Sequence, residues 1–148
     1  MYTENSLIVR APVQRIYDLA VAIENWPQIL PHYRWVTILR EEGNNRRLAE
    51  MAATRDGIPV KWVSIQQHDP ELRMIYYYHV SGVTRGMEVD WTFEPHIAGV
   101  LVRIRHWFNP PWPRIVGPWA AQHIVCDQFV HNIAGKTLRR VKNLAERG

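Results

Sequence analysis

The sequence predicts an α+β domain in which an antiparallel sheet of about seven strands wraps round a long C-terminal helix, with two short helices between strands 1 and 2. Six successive segments from Tyr33 to Phe108 read as strands, and only short turn-forming segments separate them, which makes neighbouring strands antiparallel. An apolar stripe at helical spacing then follows Gly117-Pro118 and runs to the end of the chain. The sheet has an apolar face to cover, and the final helix is the only predicted element long enough to cover it.

The first part of the chain predicts one short strand and the two helices. The strand Ser6–Arg10 ends at Ala11-Pro12, and proline is common in the first turn of a helix. Apolar residues recur at helical spacing from Val13 to Ile23. Asn25-Trp26-Pro27 breaks this helix and starts a second one, which Pro31 ends.

The later elements follow from turn signals and periodicity. The strands are expected at Tyr33–Glu41, Arg46–Thr54, Pro59–Gln67, Arg73–Ser81, Arg85–Glu94 and Val100–Phe108. The stripe of the last helix consists of Cys126, Val130, Ile133, Ala134, Leu138, Val141 and Ala145. The length predicts one domain, residues 1–148, with no linker or repeat.

The composition excludes several classes of protein. Hydrophobic residues make up 47% and charged residues 22%, which is typical of a globular chain and not of a disordered one. The single cysteine, Cys126, cannot form an internal disulfide and fits a reducing cytoplasm. Met1–Asn5 shows no signal-peptide pattern, and no apolar run approaches the ~18 residues of a membrane span. We therefore expect a cytoplasmic protein whose membrane contact is at most peripheral.

Charge and aromatic content point to the kind of ligand. The net charge is +4, but the basic residues are scattered except near the C-terminus, where cations complement a helix dipole. This favours a protein that binds no nucleic acid. The chain has seven tryptophans, and so high a count favours a partly open aromatic cavity.

Alternation along the strands sorts their side chains into two faces. One face collects large aromatic residues and a few polar groups. The residues that parity assigns to it include Trp62, Ser64, Gln66, Tyr76, Tyr78, Met87, Trp91 and His106. Any one of them alone is more simply interpreted as an ordinary core residue. The set as a whole favours a pocket for an apolar or aromatic small molecule, because a tightly packed core would use more Leu, Ile and Val.

Several landmarks of the sequence resemble a known family. They are Ala11-Pro12 with Ile16-Tyr17, Asn25-Trp26-Pro27, Leu30-Pro31-His32-Tyr33, Trp62-Val63-Ser64 and Trp91-Thr92-Phe93-Glu94. In this order they resemble the polyketide cyclase/aromatase branch of the START-like (SRPBCC) superfamily, and the resemblance runs from about Asn5 to Ala145. It implies the helix-grip fold already predicted from the strands and the last helix.

The resemblance also implies an activity, a partner and a set of site residues. Aromatase/cyclases hold a poly-β-keto chain, carried by an acyl carrier protein, and promote aldol closure and dehydration. The family's pocket residues match Trp26, Trp62, Trp91, Tyr33 and Ser64, and a helix asparagine matches Asn132. Where the family has an arginine two residues after the serine, this chain has Gln66. A glutamine makes only neutral hydrogen bonds, so this difference favours binding over catalysis.

Two residues are candidates for acid–base work. His106 has inward parity and a side chain suited to proton transfer, and Tyr33 is placed to donate a proton to a carbonyl oxygen. Structural roles remain open for both, as a hydrogen-bonded core histidine and as a wall residue at the pocket mouth. We name Tyr33 and His106 as the catalytic candidates.

Other motifs favour simpler interpretations. His123, Asp127 and His131 share a helix face, but without a fourth ligand they favour salt bridging over a metal site. No phosphate loop, Ser-His-Asp order or paired-cysteine motif occurs, so neither a metal nor a cofactor is expected. The Pro-rich segment 109–119, with Trp112 and Trp119, has three interpretations: a gate over the pocket, a contact with a membrane or a carrier protein, or a cover for the sheet end.

Three hypotheses about function follow. The first is a protein that binds a hydrophobic or polyketone-like molecule and acts as a polyketide cyclase, aromatase or dehydratase. The second is a non-enzymatic lipid or quinone carrier or chaperone. The third is a subunit with a vestigial pocket, too small for a drug-sized ligand. If Tyr33 and His106 face one cavity the enzyme is favoured, whereas ligand identity and oligomeric state stay open.

Overall fold

The structure, a computed structural model, describes residues 2–55, 57–109 and 130–147. Seven strands and three α-helices make up this part of the chain. They are β1 (Tyr2–Val9), α1 (Val13–Val21), α2 (Trp26–Ile29), β2 (Tyr33–Gly43), β3 (Arg46–Arg55), β4 (Ile58–Asp69), β5 (Met74–Gly82), β6 (Glu88–His96), β7 (Gly99–Trp107) and α3 (His131–Arg147), with a short 3-10 helix at Ile23–Asn25. The predicted α+β helix-grip fold is confirmed.

The strands form one sheet in the order β1-β7-β6-β5-β4-β3-β2, and every neighbouring pair is antiparallel. The strand at the start of the chain is longer than predicted. It begins at Tyr2 instead of Ser6, because its first half pairs with the end of β7, where Tyr2 lies opposite Trp107. Pairing with a late strand is a tertiary effect that a local pattern does not reveal.

Local turn chemistry fixes the register of the hairpins. Between β4 and β5, the Asp69 carboxylate accepts hydrogen bonds from the backbone N–H groups of Glu71 (2.9 Å) and Leu72 (3.0 Å). Between β2 and β3, Asn44 and Asn45 adopt φ of 53° and 59°, a region that asparagine tolerates better than most residues. These two connections are short turns, as predicted for the segments between the strands.

The last helix buries the predicted apolar stripe. Ile133, Ala134, Leu138, Val141 and Ala145 are all buried. Val130, which precedes the helix, is buried as well. This stripe covers the inner face of the sheet.

Cationic side chains hold the C-terminal end of α3. Arg15 donates through Nε to the Ala145 carbonyl (2.9 Å) and through Nη2 to the Leu144 carbonyl (3.1 Å). These carbonyls belong to the last turn, where they have no partner within the helix. Lys142 Nζ donates to the Ile8 carbonyl of β1 (2.8 Å). The end of the helix is thus fixed against α1 and β1.

Some predictions fall outside the described residues. They concern Trp112, Trp119, His123, Cys126, Asp127 and the gate at 109–119, of which the structure describes only Asn109. Among the helices of the described part of the chain, none is long and apolar enough to cross a membrane.

Candidate functional site

A cavity of about 450 Å³ lies between the inner face of the sheet and the first turns of α3. Cavities of roughly 300–1,000 Å³ are typical of small-molecule sites. The hypothesis of a vestigial pocket, which required a much smaller space, is therefore wrong. Ile58, Val83 and the exposed Lys61 line the outer end, and Ile58 and Val83 are 51% and 60% exposed, so this end is the mouth.

Six of the predicted site residues lie in the cavity wall. They are Trp26, Tyr33, Trp62, Met87, Trp91 and His106. Tyr33 and His106 thus line one cavity, which is the condition that favours an enzyme. Their binding and catalytic roles stay predictions.

The tryptophans and Tyr33 form a continuous aromatic wall. The ring centroids of Trp26 and Tyr33 are 5.1 Å apart, those of Tyr33 and Trp62 are 6.2 Å apart, and those of Trp26 and Trp91 are 6.0 Å apart. Nearer the mouth, the Trp62 and His79 rings stack at 5.6 Å with an interplanar angle of 3°. Offset and edge-to-face contacts of this kind hold aromatic rings in fixed orientations. The wall therefore presents preformed flat surfaces to a ligand.

The placement of Tyr76 and Tyr78 in the cavity is wrong. The inner face of β5 carries Tyr77 and His79, both buried, whereas Tyr78 is 40% exposed on the opposite face. The Tyr76 hydroxyl donates to the Glu88 carboxylate at 2.7 Å on that outer side. The β5 sequence is apolar and aromatic on both faces, so alternation alone could not choose between them.

Ser64 and Gln66 lie on the inner face of β4 but are not lining residues of the cavity. The Ser64 hydroxyl donates to the Tyr78 carbonyl at 3.2 Å. The Gln66 amide is fully buried and bonded to Arg47 and Tyr77. Backbone and side-chain partners already use their polar groups, and the contact of both residues with a ligand stays a prediction.

Asn132 is also outside the cavity wall. The wall residues of this region are Val130, Ile133, Ala134 and Thr137. They share one helix face by their spacing, and Asn132 lies off that face. Contact between Asn132 and a ligand stays a prediction.

The Tyr33 hydroxyl keeps its proton. Burial, with a smaller contribution from nearby Tyr77, raises the pKa of Tyr33 well above its usual range, and Thr137 opposes the shift. The Thr137 hydroxyl donates to the Ile133 carbonyl (2.8 Å) and accepts from His32 Nε2 (2.9 Å). Tyr33 is therefore a neutral hydrogen-bond donor at any physiological pH.

Two buried histidines line the cavity. Burial lowers the pKa of His79 to about 3, and burial together with His79 and His131 lowers the pKa of His106 to about 3. His79 Nδ1 contacts Thr84 Oγ1 at 2.7 Å. His106 Nδ1 is buried and has no hydrogen-bond partner among the described residues. Both imidazoles are neutral near pH 7.

Besides Lys61 at the mouth, sequence reasoning missed four wall residues that carry polar groups. They are Tyr77, His79, Thr84 and Thr137. The sequence holds no signal for the inner face of β5, but the strand pairing defines it, because Ile75 pairs directly with Trp91. Directly paired residues share a face, so the inward Trp91 also assigns Tyr77 and His79 to the inner face.

The described residues contain no group of histidine, cysteine and acidic side chains that could hold a metal ion. His131, which was predicted to share a helix face with His123 and Asp127, is exposed. Its Nδ1 contacts Thr3 Oγ1 at 3.1 Å.

Comparison with known protein families shows which family this chain belongs to. Residues 9–130 match the family described as polyketide cyclase / dehydrase and lipid transport. This chain belongs to that family. A candidate polyketide cyclase of Streptomyces halstedii is 30% identical over 104 residues, which cover 69% of this chain and 95% of the relative.

Solved structures agree on the fold of this polyketide cyclase / dehydrase family member. The ZhuI aromatase/cyclase from Streptomyces sp. R1128 has a TM-score of 0.87 at 22% identity, with 99% of this chain and 94% of that chain covered. A START superfamily protein from Mycobacterium smegmatis has a TM-score of 0.69 at 16% identity, with 97% and 98% covered. The predicted resemblance to the cyclase branch of the START-like superfamily is confirmed. A hydrophobic small molecule is the class of ligand that the family and the cavity support.

Proposed function

We propose that this protein binds a planar, polyketone-like molecule in its cavity and promotes ring closure and dehydration. The observation that carries the proposal is that Tyr33 and His106 both line one aromatic cavity. A hydrogen-bond donor and a proton acceptor in one water-poor space are the groups that aldol closure requires. Membership of the cyclase and dehydrase family supports the same reaction class.

The proposed closure assigns one role to each residue. Neutral His106 takes a proton from a methylene carbon between two carbonyls, and the resulting enolate carbon bonds to another carbonyl carbon of the chain. Tyr33 donates a hydrogen bond to the oxygen of that carbonyl as it gains negative charge. The proton on His106 then passes to this oxygen and gives a hydroxyl, which leaves as water together with a proton from the neighbouring carbon.

The low pKa of His106 is compatible with this role. Burial disfavours its charged form while the cavity holds no charge. An enolate formed beside the ring supplies the opposite charge and raises the pKa during the reaction. Because Nδ1 is buried, we expect Nε2 to be the nitrogen that exchanges the proton.

A carrier protein fits the proposal as the source of the chain. Lys61 is exposed at the mouth and lines the cavity. A cation at the mouth is suited to an acidic partner or to a phosphate-bearing arm. We propose an acyl carrier protein as that partner.

The proposal is tested with a synthetic linear poly-β-ketone thioester, whose closure is followed by the absorbance of the aromatic product. The protein is expected to accelerate closure above the buffer rate. We expect Tyr33→Phe and His106→Gln each to lower that acceleration about 10²-fold. Tyr76→Phe and His96→Gln are the matched controls, because these residues lie outside the cavity wall, and their rates should equal that of the unmodified protein.

A non-enzymatic carrier is the second candidate. It is favoured by Gln66, whose amide is engaged by Arg47, Val21 and Tyr77 and therefore does not act on a ligand directly. The same assay separates the two functions. If the thioester or its closed product binds while the closure rate stays at the buffer value, the protein is a carrier and the cyclase proposal is wrong.

A further inference from the structure

A chain of hydrogen bonds connects Arg47 to the cavity wall at Tyr77. Arg47 Nε donates to Gln66 Oε1 at 2.7 Å. Gln66 Nε2 donates to the Val21 carbonyl at 3.0 Å and to the Tyr77 hydroxyl oxygen at 3.0 Å. Arg47 and Gln66 are directly opposite each other on β3 and β4, so the sheet register itself brings them together.

The partners of Gln66 permit only one orientation of its amide. A guanidinium has donors and no acceptor, so the atom that faces Arg47 must be the amide oxygen. A backbone carbonyl has no donor, so the atom that faces the Val21 carbonyl must be the amide nitrogen. A flipped amide would set donor against donor and acceptor against acceptor in a site that is 0% exposed.

This orientation fixes the direction of the Tyr77 hydroxyl. Its oxygen accepts from the Gln66 amide, so its own proton must point elsewhere. Among the described residues, no acceptor receives this proton. Burial raises the pKa of Tyr77 well above its usual range, so the proton stays in place. Tyr77 is itself a lining residue of the cavity.

The positive charge of Arg47 is balanced by the Glu24 carboxylate. Its Nη1 forms an ion pair with the Glu24 carboxylate, and its Nη2 donates to the Val21 carbonyl at 3.0 Å. The guanidinium is thereby held in place, with 16% of the Arg47 side chain exposed. It contacts the wall residue Tyr77 through Gln66, and its charge also acts on the Tyr77 hydroxyl.

We propose that Tyr77 is an oxygen-recognition site of the cavity, with Gln66 and Arg47 as positioning residues. The Tyr77 O–H donates to a carbonyl or phenolic oxygen of an otherwise apolar, planar ligand. This inference rests on the proposed function in that it requires the cavity to bind a ligand. It adds which part of the ligand is recognised and which residue recognises it.

Fluorenone and fluorene test this site, because the two flat molecules differ by one carbonyl oxygen. Equilibrium dialysis gives the dissociation constant of each. We expect the unmodified protein to bind fluorenone more tightly than Tyr77→Phe does, by roughly threefold to tenfold, the value of one neutral hydrogen bond. Fluorene should bind equally to both proteins. Tyr76→Phe, which removes the neighbouring hydroxyl on the outer face, should change neither constant.

Gln66→Glu tests the positioning role without removing Tyr77. A carboxylate at position 66 accepts from Arg47 through one oxygen. Its other oxygen loses the bond to the Val21 carbonyl and accepts the Tyr77 proton, which then turns away from the ligand. The fluorenone preference should fall to the Tyr77→Phe value, although the hydroxyl is still present. The infrared carbonyl stretch of bound fluorenone should lie at lower frequency in the unmodified protein than in either variant.

The outcomes separate this proposal from the one it rests on. If neither probe binds the unmodified protein, the ligand-binding function fails. If both bind but Tyr77→Phe keeps the full fluorenone preference and the same carbonyl frequency, the cavity is a binding site and the Tyr77 assignment is wrong. A preference that survives Gln66→Glu contradicts the positioning role of Gln66.

Discussion

The buried histidines make the stability of the folded protein depend on pH. Burial lowers the pKa of His79 and His106 to about 3 and that of His32 to about 4. Unfolded histidine has a pKa of about 6.5. Between these values the unfolded chain binds protons that the folded protein does not, so the free energy of unfolding falls as the pH is lowered from about 6.5 to about 3. Above about pH 6.5 this loss is absent.

Replacing one of these histidines should make the protein less sensitive to acid. Each proton taken up on unfolding contributes a slope of about 1.4 kcal/mol per pH unit. Below about pH 5.5, we expect His79→Gln to lower the slope of unfolding free energy against pH by about this amount. Urea unfolding from pH 4.5 to 7.5 measures it, with the exposed His96→Gln as control. Equal slopes in the two variants would show that His79 is not a buried neutral group.

At the scale of elements, the connection between β5 and β6 forms part of the cavity mouth, where Val83 lies. Gly82 and Gly86 have φ of 95° and 93°, which other residues rarely adopt. A Cβ added to Gly82 would lie 2.7 Å from the Lys61 carbonyl oxygen and 3.2 Å from Trp62 Cα. A Cβ added to Gly86 would meet nothing within 4 Å. Substitutions at the two glycines therefore distinguish the cost of backbone strain alone from the cost of strain with a steric clash.

Alanine at these two positions should give different losses of stability. Gly86→Ala meets only the unfavourable φ and should cost about 1 kcal/mol. Gly82→Ala adds a clash with β4 and should cost about 3 kcal/mol, together with a displaced Trp62. Urea denaturation of the two variants is the measurement. Equal losses would mean that β4 does not approach Gly82 as closely as described.

The strands also show what a sequence can predict. On β6 and β7, apolar residues alternate with charged ones, and parity correctly assigned Trp91 and His106 to the inner face, with Met87 just before β6. On β5, both faces are rich in aromatic residues, and only the pairing of Ile75 with Trp91 distinguishes them. Parity within one strand is therefore informative only where the two faces differ in polarity.

At the scale of the whole molecule, local sequence patterns predicted the order of the helices and strands. Tertiary contacts determine which side chains form the site. The turns and the α3 stripe are visible in the sequence, as are the tryptophans of the wall. The Arg47–Gln66–Tyr77 chain is not visible, because it depends on the register of three strands. Glutamine at position 66, where the family has arginine, therefore has a structural consequence. Gln66 brings no charge to the cavity, and its amide orients the Tyr77 hydroxyl.

The tryptophan indole signals test the central claim most directly. Trp26, Trp62 and Trp91 line the cavity, whereas Trp35 donates to Glu50 at 2.9 Å and Trp107 is 36% exposed, both outside the wall. We would label the tryptophans with ¹⁵N, assign them by single Trp→Phe variants and titrate the protein with fluorenone. The account predicts saturable shifts of the Trp26, Trp62 and Trp91 indole signals, with those of Trp35 and Trp107 unchanged. Shifts confined to Trp35 or Trp107, or no shift at all, would contradict a ligand-binding cavity between the sheet and α3.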